Sequence, residues 1–256
     1  MALGVPPTAY DRATTIFSPE GDLYQVKYAF EAVRKGWTSL GVRSTRGVVI
    51  AAEKRRLTPL LDLDGIEKIY RVDDHIGVAF AGMGSDGRIL IDQARLIAIR
   101  HRLTYGEPAT VDYVAKAIAD IKQIYTQHAG VRPFGVSLIF GGVNPDGQPR
   151  LIKTDPGGQF FSYYGVVIGM GERYATEVLE EYYNPEAGLE ELIVLALKAL
   201  FRARKETSEE NVEDLKKTFY SLVEIGYASV DEKYFKKAER DYIKEIIEHN
   251  TDKIFQ

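Results

Sequence analysis

"DGRILIDQARLIAIRHRLTYG", Asp86 to Gly106, is followed after only Glu107 and Pro108 by "ATVDYVAKAIADIKQIYTQHAG", Ala109 to Gly130. In each stretch apolar residues recur at three- and four-residue spacing, the period of an amphipathic helix. Two helices therefore stand back to back in the chain. A doubly wound parallel sheet alternates strand with helix, and this pair breaks the alternation.

On the N-terminal side, "TSLGVRS" and "GVVIAAEK" read as a hairpin, and "EKIYRV" and "HIGVAFAG", split by Asp73 and Asp74, repeat it. On the C-terminal side, "FGVSLIFGGV", "QPRLIKTD", "GQFFSYY" and "GVVIGMG" are strands broken by the turn signals "NPDG" and "DPGG". Helices are expected at 173–183, 189–205 and 236–249, with a strand near 220–230. Two sheets stacked face to face, with helices over both outer faces, use every element. The expected class is α+β, a four-layer αββα sandwich with an extra N-terminal helix.

That extra helix has readable ends. "SPEG" places Ser18, Pro19 and Gly21 as in a type I turn. Asp22 is then a candidate N-cap with Gln25 at N3, and Gly36 stands at C′ behind Arg34 and Lys35, which bounds a helix over 23–35. Leu23, Val26, Phe30 and Val33 form its apolar stripe, leaving Tyr24, Tyr28 and Glu31 on another face.

Composition narrows the function. The 256 residues are 45% hydrophobic and 27% charged, as expected of a globular protein, and no apolar run reaches membrane-spanning length. The N-terminus lacks the pattern of a secretory signal, so a cytoplasmic location without membrane contact is expected. There is no cysteine, which excludes disulfides and thiolate chemistry, and the four histidines show no ligand spacing, so no metal site is expected. The net charge of -4 is carried by the C-terminal fifth, and no basic block marks a nucleic-acid partner. "GMGSDG", Gly82 to Gly87, is formally G-x-G-x-x-G, but a dinucleotide unit needs a strand after the first helix, and here a second helix follows. It reads as a tight strand-to-helix turn, and no cofactor is expected. A dinucleotide-binding protein using Gly82, Gly84 and Gly87 is the binding-module alternative. No Gly-x-Ser-x-Gly elbow is present either.

"YDRATTIFSPEGDLYQVKYAFEAVRKG", from Tyr10, closely resembles the N-terminal signature of proteasome alpha subunits, and "GIEKI", "GVRPFGVSLIFGG" and "TDPGG" are similar to later blocks of that family, of the archaeal type. The resemblance spans about Tyr10 to Val230. It implies the N-terminal-nucleophile hydrolase fold, in agreement with the block order, and a division into a gate segment with its helix, 1–35, and the sandwich, 36–256. It further implies a noncatalytic subunit of the 20S core particle in homoheptameric outer rings. Such rings gate access to the chamber, template the beta rings and dock the C-terminal tails of hexameric regulatory ATPases. Unfolded proteins would pass through, in ubiquitin-independent or tag-dependent degradation.

Residue by residue, Tyr10, Asp11, Pro19 and Tyr28 match the cluster that holds the gate. Lys68 matches the lysine of the activator-docking pocket between neighbouring subunits, with Gly36, Met83 and Gly84 beside it. His128, Ala129, Gly130 and Val131 match the channel constriction. Trp37 stands where catalytic beta relatives begin at a threonine, with Glu53 and Lys68 near the positions of the supporting acid and lysine. No catalytic residue is assigned, since an internal tryptophan cannot serve as an N-terminal nucleophile. An active hydrolase remains the enzymatic alternative and requires a mature chain beginning near Thr38. Lys27 departs from the family, which commonly has an acid there.

Overall fold

The computed structural model describes residues 15–56 and 58–255. After the helix α1 (Tyr24–Arg34) come strands β1 (Ser39–Arg43), β2 (Gly47–Glu53), β3 (Ile69–Asp73) and β4 (Ile76–Gly82), and then helices α2 (Gly84–Tyr105) and α3 (Val111–Gln127). Strands β5 (Val136–Val143), β6 (Pro149–Thr154), β7 (Phe160–Ser162) and β8 (Gly165–Ile168) follow, with helices α4 (Glu172–Tyr182), α5 (Leu189–Thr207) and α6 (Val212–Thr218). The chain ends in β9 (Val223–Ser229), β10 (Lys236–Lys237), α7 (Arg240–His249) and α8 (Thr251–Ile254).

Both sheets are antiparallel, in the orders β10-β9-β2-β1-β8 and β3-β4-β5-β6-β7. The layering follows from side-chain alternation along each strand. In β2, Val49 and Ala51 pack under α4 and α5, while Val48, Ile50 and Ala52 face the other sheet. In β4, Val78 and Phe80 meet α2 and α3, while Ala79 and Ala81 face inward between the sheets. Strands buried on both faces read as nearly continuous apolar runs, which is why "GVVIAA" shows so little polar alternation. Three apolar interlayers require four layers, and the αββα expectation holds.

Several boundaries differ from the sequence reading, two of them for a visible reason. The α1 N-cap is Leu23, with no side-chain capping bond, because the Asp22 carboxylate pairs instead with Lys27. The SPEG turn forms as expected, Gly21 N donating to Ser18 O at 2.9 Å. The helix expected over 236–249 begins only at Arg240. Phe235 explains the delay. Its buried ring lies over Gly77 and Gly226, where any added Cβ would collide with it, and its N–H donates to Asp74 O at 2.8 Å, so the chain is drawn out into β10. Helices α6 and α8 are also additional to the sequence reading, and a 3-10 turn at Phe219–Ser221 occupies the first residues of the strand expected near 220–230, which begins at Val223.

Candidate functional site

Where α1 enters β1, the chain passes the end of β4. Gly36 N donates to Val33 O at 2.9 Å, closing the helix, and Gly36 O accepts from Met170 N at 2.9 Å. A Cβ on Gly36 would strike the Gly82 backbone, so glycine is demanded here by close approach of two segments. Trp37 follows within the same continuous chain. Thr38 is fully buried, its Oγ1 accepting from Gly171 N at 3.2 Å, and Ser39 Oγ donates to Phe80 O at 2.8 Å.

Lys68 closes on this point from the start of β3 and is only 4% exposed. Its Nζ donates to Phe80 O at 2.8 Å, lies 3.5 Å from Trp37 O and sits 4.2 Å from the centroid of the Phe80 ring. Burial pulls its pKa down to about 8, opposed by the negative charges of Glu53 and Glu224. Glu224 is the organiser beneath it. One oxygen pairs with Lys54 Nζ at 2.6 Å, and the other accepts from the backbone N–H groups of Lys68 and Ile69, both at 2.9 Å. Glu53, equally buried, pairs with Arg55 at 2.7 Å, while its Oε2 has no hydrogen-bond partner among the described residues.

Met83 and Gly84, both exposed, begin α2 directly after β4. A Cβ on Gly84 would meet only the Phe80 ring, at 3.8 Å, so this position has room for a larger residue. Gly36, Lys68, Met83 and Gly84 thus gather around one strand end. Pro19 is exposed in its turn, and Tyr28, 48% exposed, packs against Tyr24 with ring centroids 6.3 Å apart. Tyr10 and Asp11 lie outside the described residues. His128, Ala129, Gly130 and Val131 form the exposed tip of the α3–β5 connection, with Gly130 at φ +87°.

Sequence reasoning did not single out three groups that frame these positions: Glu224, Lys122 and the pair Asp86 and Arg132. Arg132 grips Asp86 with both terminal nitrogens, at 2.6 and 2.8 Å, and the same carboxylate accepts from Gly135 N at 2.9 Å. These bonds hold the Asp86 carboxyl below its ordinary range even though burial opposes the ionised form. An acid in the first turn of α2 was the only visible signal.

The Proteasome subunit family matches residues 33–214, and the N-terminal signature of A-type proteasome subunits matches residues 10–32. The chain is 58% identical to the proteasome alpha subunit of Aeropyrum pernix, over the whole of both chains. It is 56% identical to the protein of the same name in Sulfolobus acidocaldarius, over 93% of this chain and 95% of that one.

Proposed function

The chain belongs to the proteasome alpha-subunit family, and from that membership we propose that it forms the noncatalytic, gated outer ring of a core particle whose beta subunits carry out threonine-type proteolysis. One observation carries the noncatalytic reading. An N-terminal nucleophile needs a free α-amine beside its hydroxyl. Here the chain continues from the end of α1 at Arg34 through Gly36, wedged against the Gly82 backbone, and Trp37 into β1, and the Thr38 hydroxyl is engaged in a structural bond to Gly171.

The ring reading is supported by α1. Of its stripe only Val33 is buried within one chain, while Leu23, Val26 and Phe30 remain half-buried. A head-to-tail ring of identical copies would cover such a face. In this reading residues 1–35 supply the gate through Tyr10, Asp11, Pro19 and Tyr28, and 36–256 the wall. The tip 128–131 narrows the channel. ATPase C-termini insert beside Lys68, Gly36, Met83 and Gly84, where an ammonium can meet a terminal carboxylate. Beta subunits, the ATPase and unfolded substrates are its partners in the cytoplasm, and among the described residues no helix is long and apolar enough to cross a membrane.

Native mass spectrometry of the chain with a beta partner should show heptameric alpha rings, and the homogeneous chain alone should hydrolyse no peptide. Threonine-dependent turnover by the chain alone would overturn the noncatalytic assignment, and a strictly monomeric species with beta subunits present would overturn the ring.

A further inference from the structure

The connection from α3 to β5 has an exposed tip and two anchored feet. At the helix foot, Lys122 Nζ, fully buried, donates to Val136 O at 3.1 Å, Thr154 O at 3.2 Å and Thr154 Oγ1 at 2.9 Å, tying the last turns of α3 to the ends of β5 and β6. At the strand foot stands the Arg132 fork on Asp86, with Gly135 N on the same carboxylate. Met83 N returns a bond to Gly135 O at 2.9 Å, so this foot is stitched in both directions to the start of α2. Between the feet, Ala129 and Gly130 carry no side chain able to fix the tip themselves.

Surface ion pairs usually contribute little. This one differs in three respects. The pairing is bidentate, so it sets orientation as well as distance. Asp86 is only 7% exposed, and the same carboxylate also holds a backbone N–H of the loop. The guanidinium is planar and rigid, a geometry that a lysine cannot reproduce.

We propose that Asp86 and Arg132 are the positioning pair that fixes the rim of the axial channel, holding the 128–131 tip in one geometry and joining it to the turn that carries Met83 and Gly84. The proposal rests on the reading of 128–131 as the constriction. It deepens that reading, because the docking turn and the rim then become parts of one rigid body. A shift of the first turn of α2 is carried to the tip through the fork.

The absence of cysteine makes Ala129→Cys a unique labelling site in each chain. In particles assembled with beta subunits, spin labels there should give a narrow distribution of distances across the ring. Arg132→Ala should roughly double its width, and Arg132→Lys, which keeps the charge without the fork, should recover part of the loss. Asp86→Asn, which retains an acceptor for Gly135 N, serves as the second variant. With residues 2–12 removed from every particle compared, the Arg132→Ala and Asp86→Asn particles should degrade an unfolded protein about threefold faster than particles with the native pair, at equal turnover of a short fluorogenic peptide. Unchanged distances in both Arg132→Ala and Asp86→Asn overturn the clamp. Ala129→Trp separates the two ideas. If it slows protein degradation and the clamp variants do not alter it, the pair does not set the rim. If neither Ala129→Trp nor the clamp variants change the ratio of protein to peptide turnover, the loop is not the constriction, whatever the labels report.

Discussion

Lys122→Met should change the stability of the chain in opposite directions at neutral and at high pH. Lys122 is completely buried, and burial lowers its pKa from 10.5 to about 7, opposed by the negative charge of Asp155. A fall of that size disfavours the ammonium in the folded chain by on the order of 5 kcal/mol relative to the unfolded one. The unfolded chain therefore binds more protons between about pH 7 and 10.5, and stability must rise with pH across that window and level off below it. A neutral amine is well accommodated. It can donate to the carbonyls of Val136 and Thr154 while accepting from the Thr154 hydroxyl. Methionine removes the ionisation cost and also these bonds, a loss of about 1–3 kcal/mol. The variant should therefore be the more stable by roughly 2 kcal/mol near neutrality, and the native chain should match or exceed it at about pH 10. Urea midpoints at matched protein concentration and constant m-value measure the difference. Lys68 titrates in both proteins, so its contribution cancels. Parallel stability profiles for the two chains from neutral to alkaline pH would refute the reasoning.

Lys68→Ala should weaken docking of an activator C-terminal peptide by about 1.5–3 kcal/mol, roughly ten- to more than a hundredfold per pocket, and leave ring assembly intact. The native pocket should also lose affinity as pH rises through about 8, because the carboxylate needs the charged amine. Fluorescence anisotropy measures both effects, with Lys217→Ala on α6 as the control, and equal binding by both mutants would place docking elsewhere. Deleting residues 2–12 should raise hydrolysis of short peptides by the assembled particle without an activator, since a Gly- and Pro-containing tail can fill a channel without forming a core of its own. Unchanged peptidase rates would remove the tail from the gate.

The layers were legible because burial imprints a period on the sequence, and the exceptions mark where a distant contact outweighs it. Residues 236–249 carry a helical pattern, yet the first of them are extended, because Phe235 must reach two glycines on two other strands. Nothing local encodes that. Asp22 is a sound N-cap until Lys27 competes for its carboxylate. The charged groups around the site divide in the same way. Lys122 could have been found, since Val111, Ala115, Ile118 and Ala119 define the apolar face of α3, and 122 falls on it at i+4 and i+3. A cation in the apolar phase of a helix announces a buried polar contact. Asp86 and Arg132 could not, because each looks like an ordinary surface charge, and their meeting exists only once the start of α2 is laid beside the foot of β5. Lys68 lies between these cases. Resemblance gives it a partner outside the chain, but its burial, its carbonyl contacts and the Glu224 scaffold beneath it come from sheet pairing. In the proposed docking role, the charge of this amine is opposed by its burial and favoured by the negative charges of Glu53 and Glu224. If the pocket docks a terminal carboxylate as proposed, the buried acids below it are part of how strongly it binds.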